Sequence, residues 1–128
     1  MNIEIPVSAG ELLDKLSILE IKLKNIKDDK KLQNIKKERD FLKKIVDEKL
    51  HSYKELNSMK KSLFEVNSIL WNVEDDIRIK ESKKEFDSEF IDLARKVYYT
   101  NDKRFELKNL INSNLGSLIK EEKGYQKY

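Results

Sequence analysis

Apolar residues recur along most of this chain at the three-and-four spacing of helices that face a core. Leu12, Leu16, Leu19, Leu23 and Ile26 step in this way and predict a first helix over about 9–27. Its start carries two signatures. Ser8 and Glu11 form an S-x-x-E capping box, and Val7 with Leu12 supplies a hydrophobic staple. Ahead of it, Ile3, Ile5 and Val7 alternate with Asn2, Glu4 and Pro6. That alternation predicts a short extended arm over residues 1–7, and Pro6 disfavours helix at the residue before it.

Asp28, Asp29 and Lys30 offer no apolar side chain and can turn the chain. A second helix follows through Leu32, Ile35, Leu42, Ile45 or Val46, and Leu50, with Asp40 and Lys44 spaced to pair. Near His51, Ser52 and Tyr53 the pattern weakens, and a break is expected over about 51–57. Asn57 and Ser58 are a cap or a kink there. The cleanest stripe is the third: Leu56, Met59, Leu63, Val66, Leu70, Val73 and Ile77. A seam of this kind normally faces another helix. The polar stretch from Lys80 to Glu85 ends it. Asp87 is the expected N-cap of a fourth helix over about 88–115. Gly116 is its natural C′ residue, and the tail 117–128 either docks through Leu118 and Ile119 or frays.

These elements predict an all-α fold, an antiparallel helical bundle of about four helices forming one domain over the whole chain. Helices three and four exceed about 25 residues, so part of each is expected to project as a coiled-coil hairpin. The alternative is a three-plus-one arrangement in which helices two and three are continuous.

Composition agrees with this and removes several functions. The 128 residues, 40% charged and 38% hydrophobic, suffice for one core, and one proline with three glycines leaves little material for turns. The absence of cysteine excludes a disulfide scaffold, a thiolate metal site and a cysteine nucleophile. One histidine and no cysteine make zinc implausible, whereas magnesium needs only carboxylates and water. His51 has no Asp or Ser in a recognisable catalytic arrangement and reads as a solvent-exposed side chain. No glycine-rich phosphate loop and no G-x-S-x-G is present. The net charge is +3, from 27 basic and 24 acidic residues that interleave. Basic runs such as Lys36-Lys37, Lys43-Lys44 and Lys60-Lys61 are short, flanked by acids and not interleaved with aromatics. No nucleic-acid surface is expected. No apolar run approaches the roughly 18 residues of a membrane span, and residues 1–11 lack the basic n-region and apolar h-region expected of a secretory leader. The expectation is a soluble, cytoplasmic protein with no membrane contact.

Candidate chemistry arises where the bundle pattern fails. The fourth stripe reads Phe90, Ala94, Val97, Asn101, Arg104, Lys108, Ile111 and Leu115, with three consecutive polar or cationic positions. Burying them without partners is costly, so the seam either opens to water or meets counter-charges. Helix three offers Asn67 and Glu74, in a row extended by Lys60 and Glu81. Helix one offers Asp14, a carboxylate with no local partner; Glu11 is occupied by its cap and can also pair with Lys15. Glu74, Asp75 and Asp76 spread over roughly 200° of helix and cannot line one site; Glu74 can pair with Arg78. Trp71, the single tryptophan, flanks any pocket formed here, and its indole N–H needs an acceptor. Only Arg39, Arg78, Arg95 and Arg104 stand among 23 lysines. An arginine kept in so lysine-rich a chain is one whose planar fork matters.

Two readings follow. One is a closed set of interhelical salt bridges. The other is a polar pocket between helices one, three and four for an anionic or zwitterionic small molecule or a divalent ion. Its candidate residues are Asp14, Lys15, Asn67, Trp71, Glu74, Arg78, Arg95, Tyr98, Asn101, Arg104 and Lys108. The metal candidates, with magnesium as the ion, are Asp14, Glu74 and Asp75. An all-helical nucleotide pyrophosphohydrolase would need E-x-x-E and E-x-x-D pairs; Glu11-x-x-Asp14 fits one half, and the Glu74 region lacks the other. A chorismate-mutase-like site would set cations against a dicarboxylate, a charge logic that Arg78, Arg95, Arg104 and Lys108 share without the spacing.

Three segments, taken together, carry a resemblance. They are Ile5-Pro6-Val7-Ser8 through Gly10-Glu11-Leu12 to Lys22; Asn67 through Leu70-Trp71 to Arg78; and Phe90-Ile91 through Arg95, Tyr98 and Thr100-Asn101-Asp102 to Asn112. The tail Glu121-Glu122-Lys123 with Tyr125 fits too. In these the chain resembles a family of short bacterial and phage proteins, a domain of unknown function, whose members occur near sugar-transfer and surface-polysaccharide functions. The resemblance implies no activity, but its recurring segments coincide with the polar positions above. The first expectation is therefore a small binding module for an anionic metabolite such as a nucleotide-sugar or sugar phosphate, rather than an enzyme. The second is a homo-oligomeric assembly protein, a homodimer through the helix-three seam. The third is a divalent-metal-dependent hydrolase.

Overall fold

In the computed structural model, which describes residues 1–128, the Ser8 hydroxyl accepts from the Glu11 N–H at 3.1 Å and starts α1 (Ala9–Asn25). Val7 stays largely exposed, so the staple is loose, and the arm ahead of it forms no strand. The turn to α2 (Asp29–Lys49) is three residues long, as the sequence suggests, but lies two residues earlier, over 26–28. Asp28 is itself the cap, accepting from the Lys31 N–H at 2.9 Å. A six-residue turn separates α2 from α3 (Leu56–Ser82), which removes the continuous-helix alternative. Ser58 lies inside the first turn of α3 and donates to the Glu55 carbonyl at 3.0 Å. Along α2, Asp40 pairs with its neighbour Arg39 at 2.7 Å rather than with Lys44.

The tight turn into α4 (Ser88–Leu115) holds Lys84 at φ +54° and is pinned by Lys80. The Lys80 Nζ lies 2.8 Å from Asp87, 3.0 Å from Glu89 and 3.3 Å from Glu85. Asp87 caps α4 as expected, accepting from the Phe90 N–H at 3.0 Å. Gly116 ends it at φ +62°, and the Ser117 N–H closes back on the Asn112 carbonyl at 2.9 Å.

The result is an all-α helical bundle with α1 at its centre. That helix packs against each of the other three, α3 and α4 pack on each other, and α2 approaches α1 alone. Leu13 and Leu16 of α1 meet Val46, Leu63 and Ile111 in the core cluster, flanked by Leu42, Met59 and Leu107. The α3 seam expected to seat a second copy is used internally, with Leu63, Leu70 and Val73 buried. At 27 and 28 residues against 17, α3 and α4 outrun α1 by roughly 15 Å. No helix is long and apolar enough to cross a membrane.

Gly10 marks the closest approach of α1 to α4. A Cβ built there would stand 2.5 Å from the Lys108 carbonyl oxygen and 2.8 Å from Asn112 Oδ1. Backbone cannot yield as a flexible side chain does, so Gly10→Ala is expected to destabilise the fold by about 1–3 kcal/mol. Urea unfolding measures this; an unchanged midpoint would show that the helices separate freely at this level.

Candidate functional site

Two of the polar residues that interrupt the α4 stripe, Arg104 and Lys108, find partners on α1, and Asn112 adds a third crossing. The Gly10 N–H donates to Asn112 Oδ1 at 2.7 Å. The Lys108 Nζ lies 2.9 Å from Glu11. Next, Arg104 holds Asp14 with two arms of its fork, Nε to Oδ1 at 2.8 Å and Nη2 to Oδ2 at 2.5 Å. Asp14 is 1% exposed, and a buried carboxylate needs its lone pairs taken. Asn67 of α3 completes the set, donating from Nδ2 to Asp14 Oδ1 at 2.9 Å and to Ser17 Oγ at 3.2 Å. Hydrogen bonding to Asp14 raises the Arg104 pKa above its usual value despite partial burial. At Lys108, burial favours the neutral amine, but the bonds to Glu11 and Glu121 outweigh it and the pKa is raised.

The sequence reading offers counter-charges on α3 and α1; the carboxylates that pair come from α1 and the tail, and α3 supplies only the Asn67 amide. Glu74 stays with Arg78, 3.4 Å away on its own helix. Lys15 turns to Glu38 of α2 at 3.2 Å and takes no part. Glu11 goes to Lys108 instead of Lys15, because that cation is the buried one, with 7% of its side chain exposed.

Beside the Asp14–Arg104 pair, α1, α3 and α4 leave a cleft of about 430 Å³. Ile18, Ile21 and Leu70 form its apolar side, and Trp71 stands among Asn67, Glu74, Asp75, Arg78, Asn101 and Arg104. Several polar groups in it are unclaimed: Arg104 Nη1, the Asn101 side-chain amide and the Trp71 N–H have no partner within the chain. The one buried side-chain polar atom without a partner is Asn112 Nδ2, so these other groups face water. A second recess of about 240 Å³ shares Asn101 and Arg104 and lies beneath the tail, against Lys108, Glu121 and Lys123.

Of the candidate residues, Asn67, Trp71, Glu74, Arg78, Asn101 and Arg104 therefore line one cleft, Asp14 supports it from behind, and Lys108 lines the adjoining recess. Arg95 and Tyr98 lie outside. Arg95 sits over the Tyr99 ring at 5.7 Å, and Tyr98 packs on Tyr99 and Tyr128. The structure does not bring Asp14, Glu74 and Asp75 together as a group of ligands, and both Asp14 oxygens accept from Arg104.

The tail docks by its polar residues, contrary to the apolar expectation. Leu118 is fully exposed and Ile119 is half-exposed. Glu121 lies 2.6 Å from Lys108 Nζ, Lys123 reaches Asp102 at 3.2 Å, and the Tyr128 hydroxyl donates to Asp102. Glu121 and Lys123 as partners had no signal in hydrophobic periodicity, because an irregular tail has none; only their place in the resemblance singled them out.

With the geometry in hand, a family model described as a family of unknown function (DUF6165) matches residues 1–128. The chain belongs to DUF6165. No curated protein and no solved structure matches it. Membership agrees with the sequence resemblance to a domain of unknown function and assigns the DUF6165 cleft no activity.

Two outcomes test this arrangement. Asp14→Ala is expected to cost about 3–5 kcal/mol in urea unfolding, and adding Arg104→Met to recover part of it, a coupling that a double-mutant cycle reads directly. The tail carries a pH window. Tyr128 and Lys123 hold the Asp102 pKa below its usual 3.8, and Asp102 pushes Tyr128 from 10.0 up to about 12. The contribution of the Asp102–Tyr128 bond to docking is expected to be full between pH 3.8 and 10.0. It weakens as acid protonates Asp102 below that range, and as base ionises Tyr128 through about 12. Phenolate absorbance should show one late-titrating tyrosine, and Asp102→Asn should return it toward 10.0.

Proposed function

We propose that this protein is a small binding module for an anionic, oxygen-rich metabolite, such as a nucleotide-sugar or sugar phosphate, held in the cleft between α1, α3 and α4. The observation that carries this reading is the set of unclaimed donors around Trp71. Arg104 is fixed by Asp14 yet keeps Nη1 free, and Asn101 and the indole N–H stand beside it. A donor immobilised before the ligand arrives loses little entropy on binding. Arg78 adds a loosely paired cation that can donate to the ligand's oxygens from the edge of the cleft. Glu74 and Asp75 accept from hydroxyls, and the Trp71 ring offers an apolar face to a sugar or a base.

This mixture of fixed cation, carboxylate acceptors and one aromatic suits a ligand bearing both hydroxyls and phosphate. A bare anion would be repelled by the two acids, and an apolar ligand would strand the donors. The resemblance to bacterial and phage proteins near sugar-transfer functions points the same way, and a cytoplasmic setting belongs to the proposal.

Trp71 is the single tryptophan, so its fluorescence reports on the cleft alone. Titration with UDP-glucose and glucose 1-phosphate is expected to give a saturable change in emission. Stability should rise by about 2.7 kcal/mol at a hundredfold excess over Kd. Arg78→Ala and Asn101→Ala should each weaken binding roughly tenfold or more. A flat titration with unshifted melting for both ligands would reject the reading.

A further inference from the structure

Lys108 has more carboxylate around it than its charge requires. Glu11 already neutralises it from within the bundle at 2.9 Å, yet Glu121 of the tail comes to 2.6 Å as well. The ammonium is almost wholly enclosed, and Glu121 shares with it the recess beneath the tail. We propose that the Glu121 carboxylate occupies the seat of a ligand's phosphoryl group, so that the C-terminal tail and a phosphorylated ligand compete for Lys108. This rests on the binding reading above and extends it by assigning the two ends of the ligand.

The geometry supports the assignment in three ways. The recess around Lys108 and the Trp71 cleft share Asn101 and Arg104, so a single molecule can reach from one into the other. Arg104 and Lys108 are one turn apart on α4, an axial rise of about 6 Å. A phosphoryl group, with three acceptor oxygens, can take the free Arg104 Nη1 and the Lys108 Nζ together, whereas the Glu121 carboxylate contacts Lys108 alone. The sugar or base then lies toward Trp71. Finally, the tail is built to leave. Leu118 stays in water and Ile119 is half-exposed, and the tail is held by ion pairs whose Glu121 and Asp102 carboxylates are open to solvent and by ring contacts of Tyr128 with Tyr98 and Tyr99. Solvent reaches one partner of each pair and screens it. Removing the tail also leaves Lys108 paired with Glu11, so no buried charge is stranded.

The test uses the full chain, wild type and Glu121→Gln, at constant ionic strength. Inorganic pyrophosphate and glucose 1-phosphate are the probes, with glucose as the uncharged control. Glu121 lies outside every helix and is substantially exposed, so the variant keeps the fold. Saturating either phosphorylated probe is expected to speed amide exchange across residues 117–128 in the wild type, the reverse of ordinary ligand protection; glucose should not. Glu121→Gln should bind glucose 1-phosphate about tenfold more tightly by calorimetry, as follows for a tail docked about nine-tenths of the time. Equal affinities with unchanged tail exchange would overturn the competition and leave the cleft reading standing. Absence of binding by either chain to either phosphorylated probe would overturn both.

Discussion

A carboxylate buried to 1% exposure sets the terms for this bundle. Asp14 cannot be left without partners in a low-dielectric interior, so three elements are committed to it at once. Arg104 of α4 supplies the fork, Asn67 of α3 supplies an amide, and Ser17 of α1 shares that amide. The pair therefore fixes three helices at one level. It also leaves a fixed guanidinium edge beside the packed layer, where hydrophobic side chains cannot close over it without stranding a donor. The cleft is the physical remainder of satisfying Asp14. The two readings of the sequence meet here, since the network is closed on the Asp14 side and open on the Trp71 side.

Much of this was legible from residue order. Helix four was delimited by Asp87 and Gly116, whose capping chemistry is local, and the structure places its ends there. The interruption at Asn101, Arg104 and Lys108 was visible as a break in period, and Asp14 was visible as a carboxylate without a neighbour. What periodicity could not supply was that the two belong together. Their pairing spans 90 residues, and hydrophobic spacing reports which face a residue occupies, never the helix opposite. Lys15, Glu11 and Asp40 show the same limit in reverse. Each has a plausible partner on its own helix, and each finds another where the surroundings offer a more buried or a nearer charge.

The central position of α1 has a dynamic corollary. The α3–α4 hairpin forms through one tight turn, and α2 returns beside α1 through another. The contacts that unite the two hairpins are long-range in sequence, so loop-closure entropy must be overcome before they stabilise anything. Helix α2, which approaches α1 alone, is the element with the fewest neighbours to hold it once α1 moves.

Charge gives that docking its orientation but leaves the register ambiguous. Arg104 and Lys108 are one turn apart on α4, with acids facing both, and sliding α1 by a turn would still bring opposite charges together. Shape resolves the ambiguity. Only Gly10 lacks a side chain along this edge of α1, and only there can the Lys108 carbonyl and the Asn112 amide come so close. In a slipped alignment a bulkier residue would be driven against α4 backbone, and the buried Asn112 side chain would lose the one N–H it accepts. The glycine thus works as a notch that admits a single alignment, and the ion pairs lock what the notch has already selected.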